Sequence, residues 1–180
     1  MREWRLALMG DVEPAAADAV EDALASHCGA AVERLSLGEP DFAFDAARGQ
    51  YGSTAVLQHL AGLRPPSTWK LLGVTGKDLF IPMLTFVYGQ AQLGGAAGVI
   101  SLARLRQQYY GMPPDEALLA TRARKEALHE AGHMLGLVHC GDRRCAMSLS
   151  TNVRLLDGKG AEYCAACAAM LDRRRAAEER

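Results

Sequence analysis

No apolar run in this chain approaches the roughly 18 to 20 residues needed to cross a bilayer, so a helical membrane span is excluded. A surplus of one charge is missing too: 20 Lys and Arg stand against 21 Asp and Glu, for a formal net charge of -1. That balance gives no overall pull toward nucleic acid or an anionic membrane. The only basic run, Arg173-Arg174-Arg175, is followed by Glu178 and Glu179 and reads as a solvated helix end, not an RNA-binding patch. The opening MREWRLALMGDVEP lacks the charged start, apolar core and small-residue cleavage site of a secretory leader, which makes the cytoplasm the expected location. Internal repeats and low-complexity linkers are also absent. What remains is an ordinary composition, 49% hydrophobic and 23% charged, over 180 residues. That length suits one domain with a proper core.

Hydrophobic periodicity orders the chain. WRLALM (4–9) reads as a strand, and Pro14 opens a helix to about His27 that Gly29 stops. AVERLSL (31–37) alternates as a second strand, and the stretch GEPDFAFDAARGQYGS reads as a loop. STAVLQHLAGL is a helix capped by Ser53 or Thr54 and ended by Gly62 before Pro65-Pro66. Three β-rich segments follow, at 69–75, 83–91 and 96–105, with Gly94-Gly95 placed to turn the last two into an antiparallel pair. Pro113-Pro114 and Asp115 start a long helix to Leu135 or Gly136, and a final helix runs from about 165 to 179. The pattern predicts an α/β (α+β) fold in one domain, 1–180. Residues 1–136 would carry a mixed sheet with packed helices, and 137–180 a small metal-tied segment.

The long helix ends in HEAGHMLGLVHC, residues 129–140. His129 and His133 are four apart and share one helical face, so both imidazoles can address one ion. Glu130 is rotated by about 100°, beside the metal but not on it. Gly136 can adopt the left-handed conformation just past the helix and return the chain, so His139 can supply a third ligand. Three histidines leave a fourth position for water, which is how catalytic zinc sites differ from closed structural ones. Zinc lowers the pKa of such a water toward ~7, and Glu130 can take its proton and pass it to a leaving amine. The competing reading is an amphipathic helix whose histidines are merely half-buried or solvated.

Cysteine usage is lopsided. Cys28 stands alone and reads as a half-buried thiol at a helix end, whereas Cys140, Cys145, Cys164 and Cys167 crowd the last quarter. Two close pairs separated by 18 residues are typical of a tetrahedral zinc site with four thiolates. Arg143, Arg144, Arg154 and Lys159 could help offset its charge. Two disulfides, or four reduced buried thiols, are the alternatives; absence of a leader argues against the first and pairing against the second. The segment after His139 is too poor in apolar residues to fold alone, so metal binding would supply its stability.

HEAGHMLGLVHC, CGDRRCAM and CAAC together resemble the archaemetzincin family of metzincin zinc metallopeptidases. RGQYGST (48–54), GVTGKDLFIP (73–82), FVYGQA (86–91) and GVISLARL (98–105) extend the likeness over roughly 48–171, with 16 residues between Met147 and Cys164. The resemblance implies His129, His133 and His139 as catalytic zinc ligands and Glu130 as general base. It implies Met147 as the packing methionine of a turn beneath the metal, and the four cysteines as a second, structural zinc site. It also implies a zincin-like, mostly parallel mixed sheet whose antiparallel edge strand lies over the cleft; AAGVISLARL (96–105) is the candidate for that edge, where an extended peptide could pair.

The function expected is a zinc-dependent metallopeptidase acting on small or unfolded peptide substrates, with neither nucleic acid nor membrane as partner. Two other readings stay open: a zinc amide hydrolase with a narrow non-protein substrate, and a non-catalytic zinc-binding interaction module. Tyr109, Tyr110 and Tyr163 are each candidate hydrogen-bond donors to a transition state, though each is read first as structural. Nothing in the sequence specifies an oligomeric state.

Overall fold

EWRLALM places Trp4 and Leu6 on one face of a strand and Ala7 and Met9 on the other, as period-two alternation requires. All four are buried, so both faces of this strand are covered, the mark of a largely parallel sheet. The structure is a computed structural model that describes residues 3–28, 31–65 and 68–178. In chain order its elements are β1 (Glu3–Met9), α1 (Pro14–Cys28), β2 (Ala31–Leu37), β3 (Phe44–Asp45), β4 (Gln50–Gly52), α2 (Ser53–Leu63), β5 (Lys70–Thr75), β6 (Leu79–Phe80), β7 (Gly89–Ala91), β8 (Ala97–Ser101), α3 (Glu116–Met134), α4 (Val153–Gly158) and α5 (Ala165–Glu178).

The main sheet has the order β2-β1-β5-β8-β7; the first four strands are parallel and β7 runs antiparallel to β8. Helices α1 and α3 pack on one face around Leu6, Val20, Leu72, Ile100 and Ala127. Helix α2 covers the other face, with Leu57 and Leu60 against Leu71 and Val99. The mixed α/β architecture, the antiparallel pair and the long helix expected from periodicity are all present. Asp115 caps α3 as predicted, its carboxylate accepting from Leu118 N–H at 2.8 Å.

Several expectations need correction. AAGVISLARL is not the edge: β8 lies between β5 and β7, and β7 is the edge strand. The segment 83–91 is not one strand, because its partner changes midway: Val87 bridges Leu79, whereas Tyr88 onward meets β8. The strand at 96–105 stops at Ser101, where Leu102 donates to Thr75 O and Leu105 then turns back onto Leu102 O. The segment 38–53, expected as a loop, contains a turn of 3-10 helix (Asp41–Ala43) and strands β3 and β4, which form a small sheet with β6 in the order β3-β4-β6. Neither Ser53 nor Thr54 caps α2; Gly52 occupies that position, and the Ser53 hydroxyl instead lies 2.6 Å from Gln90 Oε1 and 3.0 Å from Phe80 O. Helix α4 was not foreseen. The readings placed on Gly29, Pro66 and the Cys28 thiol lie outside the described residues.

Candidate active site

Helix α3 is where the amphipathic rule gives way. From Arg122 onward it buries Lys125, Glu126, His129 and Glu130 as well as its alanines, because the sheet packs on one side and the C-terminal segment on the other. His129 is 5% exposed and its Nδ1 donates to Ala146 O at 2.9 Å; His133 Nδ1 donates to Leu137 O at 2.8 Å. Those two bonds fix the tautomers, leaving each Nε2 lone pair free. The two Nε2 atoms are 3.2 Å apart. Bonds of about 2.0–2.1 Å to a tetrahedral zinc would separate them by roughly 3.4 Å, so the spacing fits that ion. His139 completes the group: one ligand nitrogen from each ring lies within 4.8 Å of the others.

Gly136 brings His139 there. Its φ of 89° lies in the left-handed region, and the helix ends in a paired motif, Leu137 N–H to Gly132 O and Gly136 N–H to His133 O, both 2.8 Å. Gly132, whose carbonyl accepts the outer bond of that motif, has a separate task. A Cβ there would come within 2.2 Å of Met147 Sδ, so the missing side chain is the space the fully buried methionine fills.

The four cysteines meet one residue further on. All carry free thiols, and their Sγ atoms lie within 4.8 Å of one another. Cys140 and Cys164 Sγ are 3.8 Å apart, far beyond an S–S bond of about 2.05 Å and equal to the roughly 3.8 Å edge of a tetrahedron with 2.3 Å zinc–sulfur bonds. Backbone N–H groups of Asp142, Met147 and Cys164 point at the sulfurs, as suits thiolates. The Cys167 N–H draws Cys164 down to about 7, while burial pushes Cys145 and Cys167 up. The local core is small, Leu137, Met147 and Leu171 around the two buried cysteines. Arg143, Arg144 and Arg154 are exposed; Lys159 alone of the suggested counter-charges is buried near the cluster.

The histidines open into a cavity of about 580 Å³. Leu84, Val87 and Leu93 form one wall and Val138 and Leu149 the other, and His139 lies on its exposed side. Glu130 is 4% exposed and lines it. Burial, then the neighbouring Glu126 carboxyl, raises the Glu130 pKa well above the usual carboxylate range. Burial lowers His129 and His133 below the ordinary imidazole value, His129 further, which keeps both neutral as metal binding needs.

Sequence reasoning placed every member of both clusters on residues that the structure brings together, and overlooked their supports. Glu126 is one helical turn before Glu130, a spacing that could have flagged it. Lys70 opens β5 with no motif to mark it, and Lys159, which follows α4, was expected only as a counter-charge for the cysteines. Lys70 Nζ donates to Gly95 O (2.7 Å) and Met134 O (2.8 Å), and Gly94 N–H donates to His133 O (2.8 Å). The β7–β8 turn is thereby clamped to the end of the active-site helix. Tyr163 donates to Leu128 O, and Tyr109 and Tyr110 meet edge to face beside a neighbouring hollow; Tyr88 is the tyrosine that lines the cavity.

Two neutral imidazoles on a helix, a third after a glycine turn, a buried glutamate beside them and an apolar cleft define the class: a zinc metallopeptidase of the metzincin kind. The profile of peptidase family M54 matches residues 32–173. The archaemetzincin of Methanocaldococcus jannaschii is 45% identical over 128 residues, 71% of this chain and 69% of that protein. That of Methanopyrus kandleri is 40% identical over 134 residues, 74% and 73% of the two chains. The crystal structure of the M. kandleri protein superposes with a TM-score of 0.85 at 33% identity, covering 97% of this chain and 96% of the other. The archaemetzincin of Archaeoglobus fulgidus, crystallised with malonate, gives 0.79 at 34%, covering 92% and 98%. The chain belongs to peptidase family M54, the archaemetzincins. Among the described residues no helix is long and apolar enough to cross a membrane.

Proposed function

We propose that this chain hydrolyses peptide bonds in small or unfolded protein substrates, with His129, His133 and His139 holding one zinc ion and Glu130 acting as general base. A second, structural zinc ion is held by Cys140, Cys145, Cys164 and Cys167, giving two ions per chain. Residues 1–136 and 137–180 act as the two halves of one domain. The observation that carries the reading is the convergence of three imidazoles within 4.8 Å, at the wall of a cavity that the Glu130 carboxyl also lines.

When bound, the first ion supplies Lewis acidity, lowering the pKa of a water and polarising the scissile carbonyl. Glu130 takes a proton from the attacking water and delivers it to the leaving amine. The carbonyls of Ala146 and Leu137 keep the rings of His129 and His133 oriented throughout. Met147 packs beneath and touches no substrate.

The edge strand offers the substrate a place to lie. Ser101 N–H donates to Tyr88 O and Gln92 N–H to Ala97 O, so the alternation turns the backbone groups of Gly89 and Ala91 outward. An extended peptide can pair with those two residues and set apolar side chains against Leu84, Leu93, Val138 and Leu149. An unbiased peptide-library digest tests the reading. Wild type should cleave a subset rich in apolar residues, and Glu130→Gln, still carrying zinc, should not. Equal cleavage by both proteins overturns the mechanism, and a library left intact beside a cleaved small amide redirects it to a narrow amide hydrolase.

A further inference from the structure

Glu130 sits on a buried chain of ionisable groups that peptide hydrolysis by a metal, water and one base does not itself require. Glu126, 4% exposed, lies one turn before Glu130 on the same face of α3, and both line the cavity. Lys159, 3% exposed, places Nζ 3.9 Å from Glu126 Oε2 and 3.4 Å from Ser148 O, to which it donates. All three residues line the catalytic cavity. With both carboxyls ionised no proton lies between them, and Glu130 Oε2 is then a buried acceptor with no donor among the described residues. A single ammonium faces the pair, and it reaches Glu126.

The placement of Lys159 is itself secured from α3. Arg122 binds Asp157 through two 2.7 Å contacts, and Lys125 Nζ donates to Asp157 O at 2.8 Å. Both hold the last turn of α4, after which Lys159 takes an extended conformation and turns inward. From the far side, a Cβ on Gly89 would come within 2.7 Å of Glu130 Cγ and Oε1, so the edge strand closes the glutamate in. Burying three charges is costly unless their geometry is fixed. Replacing such a group by apolar side chains commonly retains or improves stability, so stability alone does not account for it.

We propose that Lys159 and Glu126 are positioning residues for the general base: Lys159 anchors Glu126, and Glu126, donating the one proton that the carboxyl pair shares, holds the Glu130 carboxylate at the water-attack position in the cavity. The proposal rests on Glu130 being the base. A merely structural ion pair would affect folding and leave turnover of the folded protein alone, and that difference can be measured.

Lys159→Met leaves two buried carboxyls without their cation and should lower the melting midpoint. Glu126→Leu/Lys159→Met removes both side chains' polar atoms from the Glu130 carboxyl and should bring the midpoint back toward wild type. In that double variant the base is no longer held. The expected result is kcat lower by roughly 10- to 100-fold, the size of effect a small misplacement produces, with KM and zinc per chain unchanged. Affinity for acetohydroxamate, which donates a hydrogen bond to a carboxylate beside the metal, should weaken about tenfold by calorimetry, the loss expected for one charge-assisted bond. Lys159→Arg should keep most of both. Wild-type kcat and hydroxamate affinity in the folded double variant overturn the proposal. So does a double variant that cannot fold, since the pair is then a folding element. Should Glu130→Gln retain full turnover, the base assignment fails first, and the two failures are distinct.

Discussion

His139 and Cys140 are neighbours in the chain, yet the two clusters they join are held in opposite ways. The histidine cluster is built by the fold. Two of its three ligands ride on a 19-residue helix packed against the main sheet, with both ring orientations set by backbone carbonyls. The cysteine cluster has little fold around it: short turns, the start of α5 and a core of five buried residues, two of them its own ligands. The first site is prepared for a metal, whereas the second, on the proposed function, depends on its metal for stability. The two are coupled at one point, because the turn that carries His139 back to the helix is continuous with the turn that carries Cys140.

The largest effect should come from breaking the cysteine side. Cys145→Ser removes a buried ligand, and structural zinc contributes on the order of 10 kcal/mol to such modules. The C-terminal segment should become protease-sensitive near 140–165, one ion per chain should be lost, and activity should fall because His139 is misplaced. Limited proteolysis with metal analysis reads all three. Next comes His133→Ala, which should empty the first site and abolish turnover while the second ion and the far-UV spectrum are retained. If the fold collapsed with it, the contrast between the sites would be wrong.

Gly136→Ala lies on the junction. A side chain at φ 89° is strained by about 1–2 kcal/mol, and a Cβ there would also meet the Arg174 guanidinium. The expected outcome is a melting point lower by a few degrees and faster chelation of the first ion, with the second unaffected. The smallest effect is that of pH on metal-free protein. Burial lowers the His129 and His133 pKa values in the folded state, so the unfolded chain takes up their protons first. Their contribution to stability is full above about pH 6.5 and declines as pH falls through and below that value. Denaturant titrations between pH 8 and 5 should show it, and His129→Gln should shrink it, since His129 is shifted further.

The same contrast explains what could be read from the chain. Ligands announce themselves: His129, His133 and His139 at fixed helical and turn spacing, and cysteines in two close pairs, are patterns set by coordination geometry. The parallel strands were legible because both faces bury, as in EWRLALM and KLLGVT. What stayed hidden depends on contacts distant in sequence. The edge was misassigned because periodicity says nothing of which neighbour a strand acquires, and β8 gains one on each side. MLTFVYGQA carried strand composition over a stretch that begins as a turn, bridges Leu79 at Val87 and joins the main sheet only at Gly89–Ala91. Lys70, Glu126 and Lys159 look like surface residues in a sequence, and only the packing of α3 between the sheet and the C-terminal segment buries the second and third beside the base.

Staged chelation of the protein as purified, followed by metal analysis, activity and circular dichroism on one sample, tests the central claim most directly. The account predicts two zinc ions per chain. The first should leave quickly, taking activity with it and leaving the fold intact, and the second should leave only as the C-terminal segment unfolds. A single tightly held ion, or loss of fold together with the first ion, would contradict it.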